Sequence, residues 1–479
     1  MNTLVSVSPF IFVLILSAWY RRPAFIVAWC GVIFVAALIV FTSFLQVEPS
    51  SYIPAFSTTA VITLQASLVI GPGLYLNSLL SRTKAHDALM SWIEQLPMDP
   101  LHKRLMIVVG LAPALESLTG FGVSLLVTVP LLLAVSERHS ALCQSMLSMN
   151  IMPWGTLGLA TAVGAQLSGQ PVSVLGFSTS IISFGVFPMF GMFAGWLSAK
   201  PLERSRACRD GFLLGSVLSL CLVTLNWLGV TELAGIFAGV TSTLTCLLLF
   251  RIGNHLLIPS WNAVRPYAIV LSLIAVIRAL PFLGVPTKEW AIEIEGVHFA
   301  PLASPGLAMV VAILFLDRLQ DVFPLLYETI IRAMKPILAL GGFTLMAQMM
   351  VASGMIGILG EALQSSNPLT LGPLSSLLGA LSGYLTGSNV GGNALMMTMQ
   401  ASLSAEKEMS LVFSAIQNST AGHAVFASMP IILLVLAVAG HGEKTEESTM
   451  VRFGLKTLLM TLAVQVLTTI LFISVLSLN

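Results

Sequence analysis

Apolar runs of about 20 residues, the length a helix needs to cross a bilayer, recur along nearly all of the 479-residue chain. The pattern predicts twelve such helices, at about 3–20, 23–45, 57–80, 141–167, 172–199, 211–229, 233–250, 266–284, 303–317, 336–361, 411–440 and 453–477. Two further runs do not fit a simple crossing. Between 105 and 135 the apolar pattern is broken at Ala112-Pro113 and again at Leu118-Thr119-Gly120-Phe121-Gly122. Between 373 and 404 it is broken at Leu385-Thr386-Gly387-Ser388-Asn389-Val390-Gly391-Gly392-Asn393. Each arm, about 11–15 residues, is too short to span but long enough to enter and return. Both stretches therefore predict re-entrant helical hairpins. Outside the bilayer, 285–301 reads as a short polar loop with room for a small β-hairpin, and 318–335 as an amphipathic interfacial helix.

Composition points the same way. Hydrophobic residues make up 56% of the chain and charged ones 9%, with a mean hydropathy of +0.93, whereas soluble domains carry about 25% charged residues. So few charges cannot make a water-facing surface, and the fold class that follows is an all-α polytopic membrane protein. A net charge of +1 argues against nucleic acid as a partner; the expected partners are the lipid bilayer and a small solute, with the chain a monomer or homodimer. Five cysteines, Cys30, Cys143, Cys208, Cys221 and Cys246, lie singly in or beside apolar runs and read as small hydrophobes rather than disulfides or metal ligands. The run Leu4–Tyr20 lacks a basic leader and an A-x-A site, so it is expected to stay as a first helix.

Lys and Arg placement orients the chain. Arg21 and Arg22 follow the first helix, which puts the N-terminus outside; propagating that choice leaves only Arg278, Lys288 and Lys407 of the 22 basic residues off the inner side. The C-terminus is then also outside, and the two hairpins open from opposite faces. The sequence repeats as well: Leu118-Thr119-Gly120 recurs as Leu385-Thr386-Gly387, each followed about 30 residues later by an Asn at a second break, Asn150 and Asn418. This predicts two halves, 1–250 and 251–479, each with a hairpin (about 105–135 and 373–404) and a broken helix (about 141–167 and 411–440). Similar units in opposite orientation form an inverted repeat, a common ground plan of secondary transporters.

Interrupted helices in hydrocarbon are tolerated where protein or a water-filled cavity satisfies the freed backbone. Half-helices starting near Gly120–Gly122 and Gly387–Gly392 offer N–H donors and positive dipole ends to an anion, about 0.3–2 kcal/mol each. The substrate site expected between them draws on Thr119, Gly120, Phe121, Gly122 and Asn150, and on Thr386, Gly387, Ser388, Asn389, Gly392 and Asn393. Gln400, Asn418, Ser419 and Thr420 complete the set. A carboxylate at membrane depth is costly when ionised, which makes Glu116 a candidate proton carrier; its other reading is a structural acceptor for the hairpin's own amides. His423 is a second proton-coupling candidate because histidine titrates near neutral pH. Gln65, Gln166 and Gln348 read as interhelical hydrogen-bonding groups, and Glu232 and Glu361 as interfacial. No H-E-x-x-H, P-loop or paired-aspartate motif is present. The chain is therefore not expected to be an enzyme, and neither a metal nor a cofactor is called for.

The segment Glu116-Ser117-Leu118-Thr119-Gly120-Phe121-Gly122 resembles the Glu-Gly-Ala-Ala-Gly-Phe-Gly of the lactate permease family of bacterial transporters. The likeness continues through Asn150-Ile151-Met152-Pro153, Gly155-Thr156-Leu157-Gly158 and Gly164-Ala165-Gln166-Leu167-Ser168-Gly169. It is strongest from Tyr384-Leu385-Thr386-Gly387-Ser388 through Asn393-Ala394-Leu395 and Gln400 to Asn418. Asn389 stands where that family usually has Asp, and Phe426 near a position where it often has Lys. The resemblance implies a bacterial inner-membrane symporter of lactate, glycolate or similar 2-hydroxy acids coupled to H⁺. The alternative is a Na⁺-coupled carrier of another organic anion, a dicarboxylate or sulfonate, with neutral oxygens at Thr386, Ser388, Asn389, Asn393 and Asn418 as ion ligands.

Overall fold

The computed structural model describes residues 2–20, 22–45, 49–253, 257–286, 289–294, 297–317, 322–364, 366–440 and 444–476. Arg21 and Lys288, used above, lie outside them. Seven helices are long and apolar enough to cross a bilayer: Ala24–Phe41, Tyr52–Arg82, Pro201–Trp227, Thr231–Phe250, Trp261–Ala279, Val322–Ala352 and Thr445–Leu476. Two bent pairs bring the number to nine among the described residues. These are Val172–Ser183 with Val186–Ser198, bent by 45°, and Lys407–Ala427 with Met429–Val438, bent by 40°. The remaining runs behave differently from the twelve-span expectation. Residues 3–20 and 303–317 give helices Asn2–Ala18 and Pro305–Leu316 of 17 and 12 residues. The run at 141–167 is shared between Arg138–Leu147 and Leu159–Ser168.

Lipid-facing surface is written in exposed apolar side chains such as Leu220, Leu248, Leu459 and Leu467, with Trp196, Trp227 and Trp261 exposed at helix ends, as in an interfacial aromatic belt. The interior is packed closely. Where Val186–Ser198 meets Arg204–Trp227, a methyl on Gly191 would come within 2.0 Å of the Gly211 carbonyl oxygen, so the two backbones touch through small residues.

Both stretches fold as helix pairs turned at their glycine-containing breaks. The first runs down through Pro100–Met106, a π-helical turn at Ile107–Leu111 and Ala112–Thr119, and returns as Leu125–Val135, which packs on the descending arm. Pro113 has no N–H to give Val109, which widens this turn. Asn150 Nδ2 then donates to the freed Val108 carbonyl at 3.1 Å. The second hairpin pairs Pro368–Thr386 with Asn389–Ala401. Two expectations shift. The stretch 318–335 is no separate interfacial helix over its described part: Val322–Ala352 runs continuously through Pro336, because a single internal proline is tolerated in a long, packed membrane helix. Asn418 does not mark a break either. It lies inside Lys407–Ala424, and the interruption comes at Val425–Ser428, just before Pro430, whose missing N–H disfavours an unbroken helix. The short antiparallel pair Ile292–Ile294 and Val297–Phe299 is the small β-hairpin expected in the polar loop.

Candidate functional site

The two hairpin tips meet at one cavity of about 470 Å³. Its wall takes Glu116, Phe121 and Gly122 from the first hairpin, Thr386, Gly387, Ser388, Asn389 and Gly391 from the second, and Gly155, Thr156 and Ala160 from the broken helix between them. Apolar side chains from Ile70, Leu74, Leu340, Phe343, Ile431 and Leu434 complete it.

At the first tip, Gly120, Phe121 and Gly122 all have positive φ (71°, 56° and 75°), a turn that glycine enters freely and Phe121 enters only under constraint. The constraint is Glu116. Its carboxylate accepts from the Gly122 N–H at 3.0 Å, the Ser124 N–H at 3.4 Å and the Ser124 hydroxyl at 2.7 Å, so it caps the start of Leu125–Val135 while also lining the cavity. The structural reading of Glu116, an acceptor for the hairpin's own amides, is the one seen here, with the side chain also on the cavity wall. A methyl on Gly120 would fall 1.5 Å from Thr156 Oγ1, which ties this tip to the break at Gly155–Gly158. At the second tip Gly387 turns the chain at φ 65°, and Ser388 caps the next helix by accepting from the Gly391 N–H at 3.4 Å. The N-termini of Leu159–Ser168 and Asn389–Ala401 thus both border the cavity with their positive ends, an arrangement suited to a carboxylate.

Behind this wall the expected asparagines form a node. Asn389 Nδ2 donates to the Pro153 carbonyl and to Asn418 Oδ1, both at 3.0 Å; Asn393 Nδ2 donates to the Ala160 carbonyl at 2.9 Å and to Asn418 Oδ1 at 2.7 Å. Asn418 Nδ2 in turn reaches Thr161 and Thr179 at 3.1 Å. Other expected residues face elsewhere. Thr119 and Thr420 bond to their own helices, at Leu115 and Ile416. Gln400 pairs with Ser375 and Gln417, and Ser419 with Ser183 and Gln465. Gly392 packs on Gly383 and Ala421. Asn150 supports the π-helical turn. His423 is fully buried, edge-on to Phe187 and Phe190, with neither ring nitrogen bonded among the described residues.

Two residues missed in the sequence are Arg332 and Lys335, exposed and lining the cavity beside Pro23, Ala24 and Phe25. They lie three positions apart, on one face of the long helix, and among the described residues neither has an acidic partner within ion-pair distance. Helical continuity through Pro336 was the missing signal. No group of three or more His, Cys, Asp or Glu side chains comes together among the described residues.

The helices long and apolar enough to cross a bilayer make this a multi-pass membrane protein. The sequence profile of the L-lactate permease family matches residues 2–261 and 276–476, so the chain belongs to that family. Comparison with curated proteins finds no significant match.

Proposed function

We propose that the chain is a secondary transporter that carries small 2-hydroxy monocarboxylates of the lactate and glycolate type together with a proton. The observation that carries this reading is the convergence of two helix N-termini and the Glu116 carboxyl on one cavity. The substrate carboxylate sits against the tips of Leu159–Ser168 and Asn389–Ala401, where glycines let it approach the backbone. Arg332 and Lys335 draw the anion to the mouth, which by the Lys and Arg distribution faces the cytoplasm.

Glu116 couples the proton. A protonated carboxyl donates through its O–H, so it can meet a reversed Ser124 hydroxyl but loses the Ser124 N–H that the carboxylate holds. Gain and loss of the proton therefore change the first tip, and with it one wall of the cavity. His423, without a place on that wall, takes no part. The inverted-repeat pattern of the sequence fits alternating access by movement of the two hairpin units.

One proton moving with one monoanion is electroneutral, so each pH unit across the membrane supplies about 1.4 kcal/mol, a tenfold accumulation. Purified protein in liposomes, with labelled lactate and an imposed pH gradient, is expected to show that accumulation and to lose it when an uncoupler collapses the gradient. Uptake indifferent to the gradient would end proton coupling as an account.

A further inference from the structure

The asparagine node contains more oxygen than its hydrogen bonds use. Asn389, Asn393 and Asn418 are 1%, 0% and 0% exposed, yet Asn389 Oδ1 and Asn393 Oδ1 have no partner among the described residues. Their Nδ2 atoms point the other way, sharing Asn418 Oδ1 as one acceptor and taking the Pro153 carbonyl (Asn389) and the Ala160 carbonyl (Asn393) as the other. The oxygen and nitrogen of an asparagine amide exchange places by a half-turn of the side chain. After that turn the Asn389 and Asn393 amide oxygens face Asn418 Oδ1, with the Pro153 and Ala160 carbonyls each beside one of them, an arrangement that a positive charge among the five holds together.

We propose that this node is a binding site for a monovalent hard cation, Na⁺, occupied together with the organic anion. In the state seen here the two amide nitrogens stand in for the ion. The donors are neutral carbonyl and amide oxygens, the ligands that hard cations take. The absence of a carboxylate from the five leaves too little negative charge for Ca²⁺ or Mg²⁺. The Pro153 carbonyl is available because the helix is interrupted there, with Thr161 Oγ1 donating to the same oxygen at 3.0 Å.

Coupling follows from placement. Asn389 belongs both to the node and to the cavity wall, so cation and carboxylate lie on two sides of one residue. The helix N-termini at Leu159 and Asn389 repel a lone cation; a bound carboxylate offsets that repulsion. Each ion therefore raises the affinity for the other by the same factor. This inference rests on the reading of the cavity as a carboxylate site, and it adds a Na⁺ to the proton. Transport then becomes electrogenic, so the tenfold accumulation per pH unit holds at equal Na⁺ on both sides and zero membrane potential.

Thermal melts of purified protein in NaCl, KCl and choline chloride, combined with lactate titration in each salt, test it. Na⁺ is expected to tighten lactate binding about tenfold, and lactate to tighten Na⁺ binding equally, with K⁺ and choline without effect. Asn393→Ala is expected to remove the Na⁺ response, whereas Asn393→Asp, which keeps an oxygen in place, retains it. Lactate binding of equal strength in NaCl and choline chloride overturns the cation site and leaves the lactate reading intact. Stabilisation by Na⁺ in a protein that binds no lactate supports the cation site and overturns the lactate reading instead. The wild-type comparison decides the matter even if Asn393→Ala fails to fold.

Discussion

Replacing Glu116 with glutamine separates its structural task from the proton-carrying one proposed for it. In the wild-type structure its two oxygens accept three hydrogen bonds, from the Gly122 N–H, the Ser124 N–H and the Ser124 hydroxyl. Glutamine keeps one oxygen, which can still hold Gly122 N–H, and its amide nitrogen can donate to a reversed Ser124 hydroxyl. The Ser124 N–H then faces a donor and loses its partner. Bonds to a charged acceptor contribute about 1.5–3 kcal/mol and neutral ones about 0.5–1.5 kcal/mol, so the first tip should weaken by about 1–3 kcal/mol while still forming. Glutamine also imitates the protonated acid permanently, which removes the proton cycle but not the cavity. In liposomes with a gradient of one pH unit, wild-type protein is expected to accumulate labelled lactate about tenfold. Glu116→Gln should bring lactate only to equal concentrations on the two sides, and unlabelled lactate inside should still drive counterflow. Tenfold accumulation by Glu116→Gln would refute the assignment of the proton to this residue. Loss of counterflow together with loss of folding would be separated by comparing melting temperatures.

Two further substitutions probe the surroundings of the cavity. Combined Arg332→Gln and Lys335→Gln should raise the half-saturating lactate concentration roughly 2–30-fold, since exposed charges contribute about 0.2–1 kcal/mol each; the effect should shrink in high salt, and an unchanged value at low salt would remove both from the entry path. His423→Phe replaces a ring with two unbonded nitrogens by an apolar one among Phe187, Phe190 and Phe426. It is expected to leave pH-driven uptake intact and to hold or raise the melting temperature, whereas loss of gradient-driven uptake in a folded variant would return His423 to the coupling mechanism.

The hairpins were legible because an apolar pattern interrupted by Gly-rich polar residues has few other ways to sit in a membrane, and Glu116 was legible as a charge within such a run. Partner identity was not. Asn418 bonds to Thr161 and Thr179, which lie 257 and 239 positions away, and no local spacing encodes such a meeting. Gln400, Ser419 and Thr420 share the polarity of the site residues but project from helix faces turned toward Ser375, Gln465 and their own backbone. The break within the second broken helix was placed too early because Asn418 was matched to Asn150. The prolines that accompany the breaks, Pro153 and Pro430, were the better guide, since the missing N–H acts on the backbone itself. Arg332 and Lys335 show the converse error. They were assigned to a separate interfacial segment ending at 335, yet the helix continues to Ala352 and carries both side chains to the cavity mouth.

The central claim is that the substrate occupies the cavity between the two hairpin tips, and site-specific protection tests it most directly. With Cys30, Cys143, Cys208, Cys221 and Cys246 replaced by serine, single substitutions Phe121→Cys and Ser388→Cys place one thiol on each tip, both on the cavity wall. Saturating lactate is predicted to slow maleimide labelling of both thiols in variants that still transport. Labelling rates unchanged by lactate at both positions, in protein that carries it, would place the substrate elsewhere and contradict the account.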